Sequence, residues 1–131
     1  MKKFVVFGTM GCLIVTLISG CNVNYEDGIP VLRNALGEEG KISYDASCNH
    51  YVVDMYFEGL YDILLDCFIK LNGNLQPWNE FVKSANVLSA ELSKIAPYHI
   101  GVSVNYYDTS GTLMISSHSG QTIYDASWAF F

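Results

Sequence analysis

Basic residues are scarce in this chain of 131 residues, which has seven Lys and Arg residues against thirteen Asp and Glu residues. The formal net charge at pH 7 is therefore −6. Proteins that bind nucleic acid present a basic face to the phosphate backbone. We therefore expect no nucleic-acid partner, and the acidic balance also disfavours electrostatic attraction to anionic lipid head groups.

The chain also lacks the sequence motifs of common enzyme classes, and it has no Gly-rich phosphate-binding loop. The segment from Gly101 to Asn105, Gly-Val-Ser-Val-Asn, has the first glycine and the serine of a nucleophile elbow but not the second glycine. It also lies within an alternating strand pattern rather than at a turn from strand to helix. We therefore predict no catalytic residues and no serine hydrolase activity.

Three carboxylates, Glu58, Asp62 and Asp66, are spaced four residues apart. A pair of carboxylates on one helix face can perform acid–base chemistry or bind a metal ion. A solvated helix face explains the same spacing fully, and no ligand of another type stands at helical spacing from them. We interpret them as solvated surface residues.

The three histidines, His50, His99 and His118, each lie at the start or end of a predicted strand. No two of them have the spacing of metal ligands in a local motif. Tertiary structure could bring them together, but scattered histidines usually do not meet. The sequence therefore predicts no metal site and no cofactor.

Only one long apolar run is present, from Phe4 to Ile18, and it follows Lys2 and Lys3. A basic start, an apolar middle and small residues at the end, here Ser19-Gly20, are typical of a secretory signal peptide. A transmembrane anchor is the alternative. Fifteen helical residues span only about 22 Å, which is short of the roughly 30 Å hydrocarbon core of a bilayer.

The end of this segment, Ile18-Ser19-Gly20-Cys21, resembles the lipobox of bacterial lipoproteins, over about the first 21 residues of the chain. The resemblance implies signal cleavage between Gly20 and Cys21 and a diacylglyceryl group on the Cys21 thiol. Two or more acyl chains give stable anchoring. The expected location is the extracytoplasmic face of the cell membrane, held by the N-terminal lipid. An ordinary signal peptide with a chance cysteine is the alternative.

The sequence thus divides into a lipoprotein signal peptide (1–20), a lipidated tether (21–28) and a single α+β domain (29–131). Two basic residues and no acidic ones lie in the signal peptide. The mature chain of 111 residues therefore keeps five basic and thirteen acidic residues, a formal charge of −8. This length is sufficient for one domain with one core.

Hydrophobic periodicity predicts the elements of this domain. They are a short helix over 29–36, strands over 41–46 and 52–58, helices over 60–71 and 77–95, and strands over 99–107, 112–116 and 121–124. An up-and-down helix pair would return the chain to the end of the sheet that it left. The order β-β-α-α-β-β therefore predicts a two-layer fold, with an antiparallel sheet of four to five strands and a helix pair on one face.

The domain also resembles small, mostly uncharacterised lipoproteins of Gram-positive bacteria over most of its length. The shared landmarks are Gly59 before a helix, Trp78 at the start of the next helix, a hairpin turn at Asp108, Gly120, and Tyr124-Asp125. The resemblance implies no activity.

The helix prediction also implies that Cys48 and Cys67 are free thiols. The strand from Cys48 to Gly59 covers roughly 35 Å and the following helix to Cys67 only about 12 Å. A disulfide requires Cα atoms within about 7 Å of each other. If residues 60–68 formed the second strand of a hairpin instead, the two cysteines would lie almost opposite each other.

These observations favour a membrane-anchored extracytoplasmic lipoprotein without catalytic activity. Its domain would be a binding or scaffolding module for a protein or peptide of the cell envelope, using tyrosines of an open sheet face or a free sheet edge. A small envelope enzyme or enzyme inhibitor is the alternative.

Overall fold

A computed structural model of the protein describes residues 23–130. The predicted signal peptide, the lipobox and Cys21 lie outside the described residues. The elements in chain order are a 3-10 helix Tyr25–Gly28, α1 Ile29–Leu36, β1 Lys41–Asp45, β2 His50–Phe57, α2 Leu60–Ile69, α3 Gln76–Ile95, a 3-10 helix Pro97–His99, β3 Val102–Asp108, β4 Leu113–His118, β5 Gln121–Asp125 and a 3-10 helix Ala126–Phe130. The predicted helices and strands are present, and the α+β class is confirmed.

Local signals explain where the helices begin and end. Gly59, which precedes α2, has a φ of 78°, a left-handed conformation that glycine adopts without steric cost. Pro77 lies in the first turn of α3, where its missing N–H has no helical partner to lose. The helical conformation is disfavoured for the residue before a proline. Accordingly, α3 ends at Ile95, and Ala96, which precedes Pro97, has an extended backbone.

The five strands lie side by side in chain order, from β1 to β5. The pairs β1–β2, β3–β4 and β4–β5 are antiparallel, but β2 and β3 are parallel, with Tyr51 opposite Val102 and Phe57 opposite Asp108. The sheet is therefore mixed, and the prediction of a fully antiparallel sheet with a β-β-α-α-β-β order was wrong.

The unequal lengths of the two connecting helices explain this difference. α2 has ten residues and α3 has twenty, so the helices are about 15 Å and 30 Å long. The eight residues of β2 extend about 26 Å. α3 alone therefore spans the length of the sheet, and it packs across β3, β4 and β5. The chain enters β3 at the end where β2 began, so the two strands run in the same direction.

All three helices contribute to one hydrophobic core on one side of the sheet. Its fully buried members include Leu32, Leu60, Leu64, Trp78 and Ala85 from the helices, and Tyr51, Val53, Val102, Val104 and Ile115 from the strands. Two fully buried serines also join the layers, since the Ser89 hydroxyl of α3 lies 2.8 Å from the Ser117 hydroxyl of β4. Ser117 also donates to the Asn86 side chain at 2.6 Å, so these buried polar groups have partners.

The first 3-10 helix is held on the sheet by tyrosines. The Tyr51 hydroxyl donates to the Tyr25 carbonyl at 2.6 Å, and the Tyr25 ring stacks on Tyr44 at 5.2 Å between centroids. Gly28 lies against Tyr51 so closely that a Cβ there would overlap the tyrosine hydroxyl. The folded domain thus begins at Tyr25, inside the segment predicted as a tether. The chain from Cys21 to Tyr25 reaches at most about 14 Å.

Two further expectations can be compared with the described residues. Cys48 is exposed, Cys67 is buried in α2, and both are free thiols, so the helix and the absence of a Cys48–Cys67 bridge are confirmed. Among residues 23–130, no helix combines the length and the apolar character needed to cross a bilayer.

Candidate functional site

The sheet face opposite the core carries polar and aromatic side chains and is here called the open face. Strand alternation separates the two faces, since Tyr51, Val53 and Met55 of β2 are buried in the core. By strand register, the open face includes Lys41, Ser43 and Asp45 of β1, His50, Val52, Asp54 and Tyr56 of β2, Ser103, Asn105 and Tyr107 of β3, Ser116 and His118 of β4, and Gln121 and Tyr124 of β5. Ile123, at the bulge of β5, also contributes to this face.

An open depression of about 420 Å³ occupies the middle of this face. Polar groups from β1 to β4 line most of it, and Val52 and Ile123 supply apolar walls. Ile123 is 57% exposed, so its side chain is free to contact a bound molecule. The depression therefore combines hydrogen-bonding groups with a larger area of apolar surface, a combination that suits a docking surface.

A serine and two histidines meet at one end of the depression. The Ser103 hydroxyl lies 2.8 Å from Nδ1 of His118, and the rings of His118 and His50 are 5.0 Å apart between centroids. The third histidine, His99, is exposed and is not among the described residues that line the depression. The structure therefore brings together two of the three histidines, although their sequence spacing gave no indication of it.

A second chain of hydrogen bonds crosses β4, β3 and β2 on the same face. The Ser116 hydroxyl donates to Oδ1 of Asn105 at 2.6 Å, and Nδ2 of Asn105 donates to Oδ1 of Asp54 at 3.0 Å. These bonds fix the orientation of the Asn105 amide and of the Asp54 carboxylate. A ligand would therefore meet polar groups that are already ordered, which lowers the entropic cost of binding.

Beyond Asn105, the open face ends in a stacked pair of tyrosines. The rings of Tyr56 and Tyr107 lie 5.3 Å apart between centroids, with 21° between their planes. Tyr56 is 53% exposed. Burial, with the nearby Asp54 and Tyr56, raises the pKa of the Tyr107 hydroxyl, so it stays protonated and can donate a hydrogen bond. This pair offers a large, rigid and amphipathic contact surface.

Three donor groups of different chemistry cluster where β1 turns into β2. A carboxylate oxygen of Asp45, the Sγ atom of Cys48 and a ring nitrogen of His50 all lie within 4.8 Å of one another. Asp45 also accepts hydrogen bonds from the Ser47 hydroxyl at 2.6 Å and the Ser47 N–H at 3.0 Å. The bonds from Ser47 hold the pKa of the Asp45 carboxyl below its ordinary value.

The sequence prediction of no metal site considered the histidine spacings and the carboxylates Glu58, Asp62 and Asp66, but not a mixed group of donors at one turn. A carboxylate, a thiol and an imidazole at positions 45, 48 and 50 are close in sequence, and a tight turn between two strands brings such residues together. That spacing was the signal that sequence reasoning missed.

The predicted carboxylate set lies elsewhere. Asp62 and Asp66 are on the exposed side of α2, where Asp66 lies 3.6 Å from Lys70, and Glu58 is exposed at the end of β2. None of the three is among the described residues that line the depression. Their interpretation as solvated surface residues agrees with this placement.

The environment of His50 predicts a pH dependence of stability. Burial lowers the pKa of the His50 imidazole below its ordinary 6.5, the neighbouring His118 lowers it further, and Asp45 partly opposes the shift. The unfolded chain therefore binds a proton at His50 at a higher pH than the folded chain does. The stabilising contribution is fully present above pH 6.5 and is lost as the pH falls through the lowered pKa.

We expect the free energy of unfolding to decrease as the pH falls below about 6.5 and through the lowered pKa of His50, and the His50→Gln variant to lose this part of the decrease. Urea denaturation in the presence of a chelator, at several pH values, measures it. The control is His99→Asn, because His99 has a φ of 56°, a conformation that asparagine tolerates. An equal pH dependence in wild type and His50→Gln would contradict the assignment.

Comparisons with protein-family models, with curated proteins and with solved structures gave no match to this chain. The function is therefore argued from the residues and geometry of the open face.

Proposed function

We propose that the protein is a membrane-anchored extracytoplasmic lipoprotein whose open face docks a protein or peptide of the cell envelope. The observation that carries the proposal is the composition of the open face. A stacked tyrosine pair, an ordered chain of polar groups and an open depression lie next to one another on it. The domain acts as a binding module rather than as a catalyst.

The lipid anchor is supported by the lipobox-like sequence that ends at Cys21. The domain begins at Tyr25, so only a few residues separate it from the proposed acyl groups. Such a short connection keeps the domain within a few nanometres of the membrane. Tethering also raises the effective concentration of any partner at the same surface.

The charge of the mature chain indicates the kind of partner. The formal charge of −8 and the open-face carboxylates Asp45 and Asp54 favour a partner with basic side chains. Arg and Lys also interact with the faces of exposed tyrosines such as Tyr56. Complementary charge speeds association and makes binding sensitive to salt.

The test compares two exposed tyrosines, Tyr56 on the open face and Tyr61 on α2, which are 53% and 44% exposed. The wild-type protein, held on vesicles by its lipid, is used to capture partners from envelope extract of the source organism at low and high salt. Affinity for a captured partner is then measured with purified protein. We expect Tyr56→Ala to weaken binding by about tenfold or more, as for a central interface tyrosine, and Tyr61→Ala to have no effect.

Both substitutions remove a largely exposed ring, so neither is expected to unfold the domain. Equal effects of Tyr56→Ala and Tyr61→Ala, or binding that does not weaken at high salt, would show that the partner does not use the open face. The same result would remove the main support for the docking proposal.

A second candidate, a small envelope hydrolase, is favoured by the hydrogen bond between Ser103 and His118. A serine and a histidine within hydrogen-bonding distance are a minimal nucleophile and base. Against this, Ser103 is 8% exposed and lies on β3 between two other strands, which engage the backbone N–H groups that an oxyanion would need. Turnover in a hydrolase panel that disappears in His118→Gln and persists in His99→Asn would replace the docking proposal with this one.

A further inference from the structure

We propose that Asp45, Cys48 and His50 bind a zinc ion at the turn between β1 and β2. The proposal goes beyond the docking of a partner, because it concerns a metal ion that the domain binds by itself. It stands on the placement of three different donor groups, each of which is a known zinc ligand.

The distances between the donors fit a single ion. Ligand atoms of the three side chains all lie within 4.8 Å of one another. Zinc binds nitrogen, sulfur and oxygen at about 2.0 to 2.3 Å, so two ligands of a tetrahedral zinc lie roughly 3.5 Å apart. Closing the difference requires shifts of about an ångström, which rotation of exposed or half-buried side chains supplies.

The hairpin explains why these side chains converge. Asp45 is the last residue of β1, His50 is the first of β2, and the two are directly opposite each other in the antiparallel pair. Residues opposite each other in such a pair place their Cβ atoms about 5 Å apart on the same face. Cys48 lies in the turn between them, where Asn49 has the left-handed φ of 55° that a tight turn requires.

The mixture of donors favours zinc over the hard cations. Calcium and magnesium ions prefer sites made of oxygen ligands alone, whereas thiolate and imidazole ligands suit zinc. Cys48 is exposed and forms no disulfide, and its Sγ accepts a long hydrogen bond of 3.7 Å from the Ser47 hydroxyl, which a metal ion can replace. The hydrogen bonds from Ser47 orient the Asp45 carboxylate. In metal sites, hydrogen bonds to the ligand side chains commonly have this role.

A candidate for the fourth ligand, His118, lies next to this cluster. The His118 ring is 5.0 Å from that of His50, and its Nδ1 is engaged by the Ser103 hydroxyl, which leaves Nε2 as the nitrogen for a metal. Three ligands from one hairpin thus leave the fourth tetrahedral position for His118 or for water. The stack of Tyr25 on Tyr44, the residue before Asp45, places the site at the end of the sheet where the folded domain begins.

The test uses the full chain in detergent, reduced, stripped of metal and dialysed against Zn²⁺ alone. We expect one equivalent of zinc to bind. Loss of a hydrogen-bond partner behind a ligand costs about 10- to 100-fold in metal affinity, so Cys48→Ser and His50→Gln are expected to weaken binding by at least as much. His99→Asn, which changes a histidine outside the cluster, is the matched control and is expected to bind zinc normally.

Co²⁺ provides a second measurement, in which the spectrum of the wild-type protein already reports whether a thiolate binds the metal. Cobalt bound to the wild-type protein should show a thiolate-to-metal charge-transfer band, and Cys48→Ser should lack it while His99→Asn retains it. Cys67 and any other thiol in the preparation are unchanged in Cys48→Ser, so the comparison isolates the Cys48 sulfur.

Several outcomes would overturn the proposal. These are a wild-type protein that binds no zinc, zinc binding that survives both Cys48→Ser and His50→Gln, and a cobalt spectrum without a thiolate band. Binding of Cu⁺ with no binding of Zn²⁺ would overturn the assignment to zinc.

Discussion

Replacing Cys21 by alanine is expected to abolish lipidation of the protein. The thiol is the attachment point for the diacylglyceryl group that the lipobox resemblance implies, and no other side chain in Ile18-Ser19-Gly20-Cys21 can accept it. The variant should also remain uncleaved between Gly20 and residue 21, because the lipid-dependent peptidase of that family acts on the modified cysteine. The variant therefore keeps residues 1–20, including the apolar segment from Phe4 to Ile18, and lacks the acyl chains.

Intact-mass analysis of the native protein measures both events, since it reports the N-terminal residue and any acyl mass together. Cys12→Ala is the matched control, because Cys12 lies within the predicted signal peptide and should be absent from the mature protein. A wild-type mature chain that begins at a residue other than Cys21 and carries no acyl mass would refute the prediction.

Replacing Trp78 by alanine is expected to lower the free energy of unfolding more than any other substitution that we propose. Trp78 is fully buried at the start of α3, and its indole N–H donates to Oδ1 of Asp125 at 2.8 Å. Truncation of a buried tryptophan typically costs about 3–5 kcal/mol. The Asp125 carboxylate, which is only 6% exposed, would keep the hydrogen bond from the Ser127 N–H but lose the one from the indole. This loss adds about 1–3 kcal/mol to the decrease in the free energy of unfolding.

Single domains are stable by only about 5–15 kcal/mol, so Trp78→Ala should lose a large share of the free energy of unfolding. Urea denaturation at pH 7 measures it. Trp128→Ala is the control, because Trp128 is 54% exposed and a surface substitution usually changes stability by no more than about 0.5 kcal/mol. Trp78→Phe keeps most of the buried apolar volume but not the N–H, so it separates packing from the hydrogen bond. Similar losses for Trp78→Ala and Trp128→Ala would contradict this account.

The hydrogen bond between Trp78 and Asp125 gives two landmarks of the sequence a structural role. In the sequence, Trp78 and Tyr124-Asp125 are separate features, and Trp78 and Asp125 are 47 residues apart. In the folded domain they join the start of α3 to the end of β5. These two landmarks therefore serve the stability of the fold.

Local periodicity was sufficient to predict the elements. Period-two alternation marked β1 and β2, and the change to a helical period after Gly59 marked α2, because burial on one face leaves a different repeat in a strand and in a helix. The same signals identified the α+β class and excluded a Cys48–Cys67 bridge. Periodicity carries no information on strand direction, so the parallel pairing of β2 with β3 followed only from the lengths and packing of α2 and α3.

The open face was decided almost entirely by tertiary structure. The sequence predicted that Asp54 faces away from Val53 and Met55, but it assigned His50 to the turn before the strand, whereas the structure begins β2 at His50. The neighbours of Asp54 and His50 come from β3 and β4, more than fifty residues further along the chain, and it was the pairing of β2 with β3 that placed Ser103 and His118 beside His50. Only the group at positions 45, 48 and 50 was readable from local spacing, because a short turn brings residues near in sequence together, whereas contacts across a sheet depend on strand order and register.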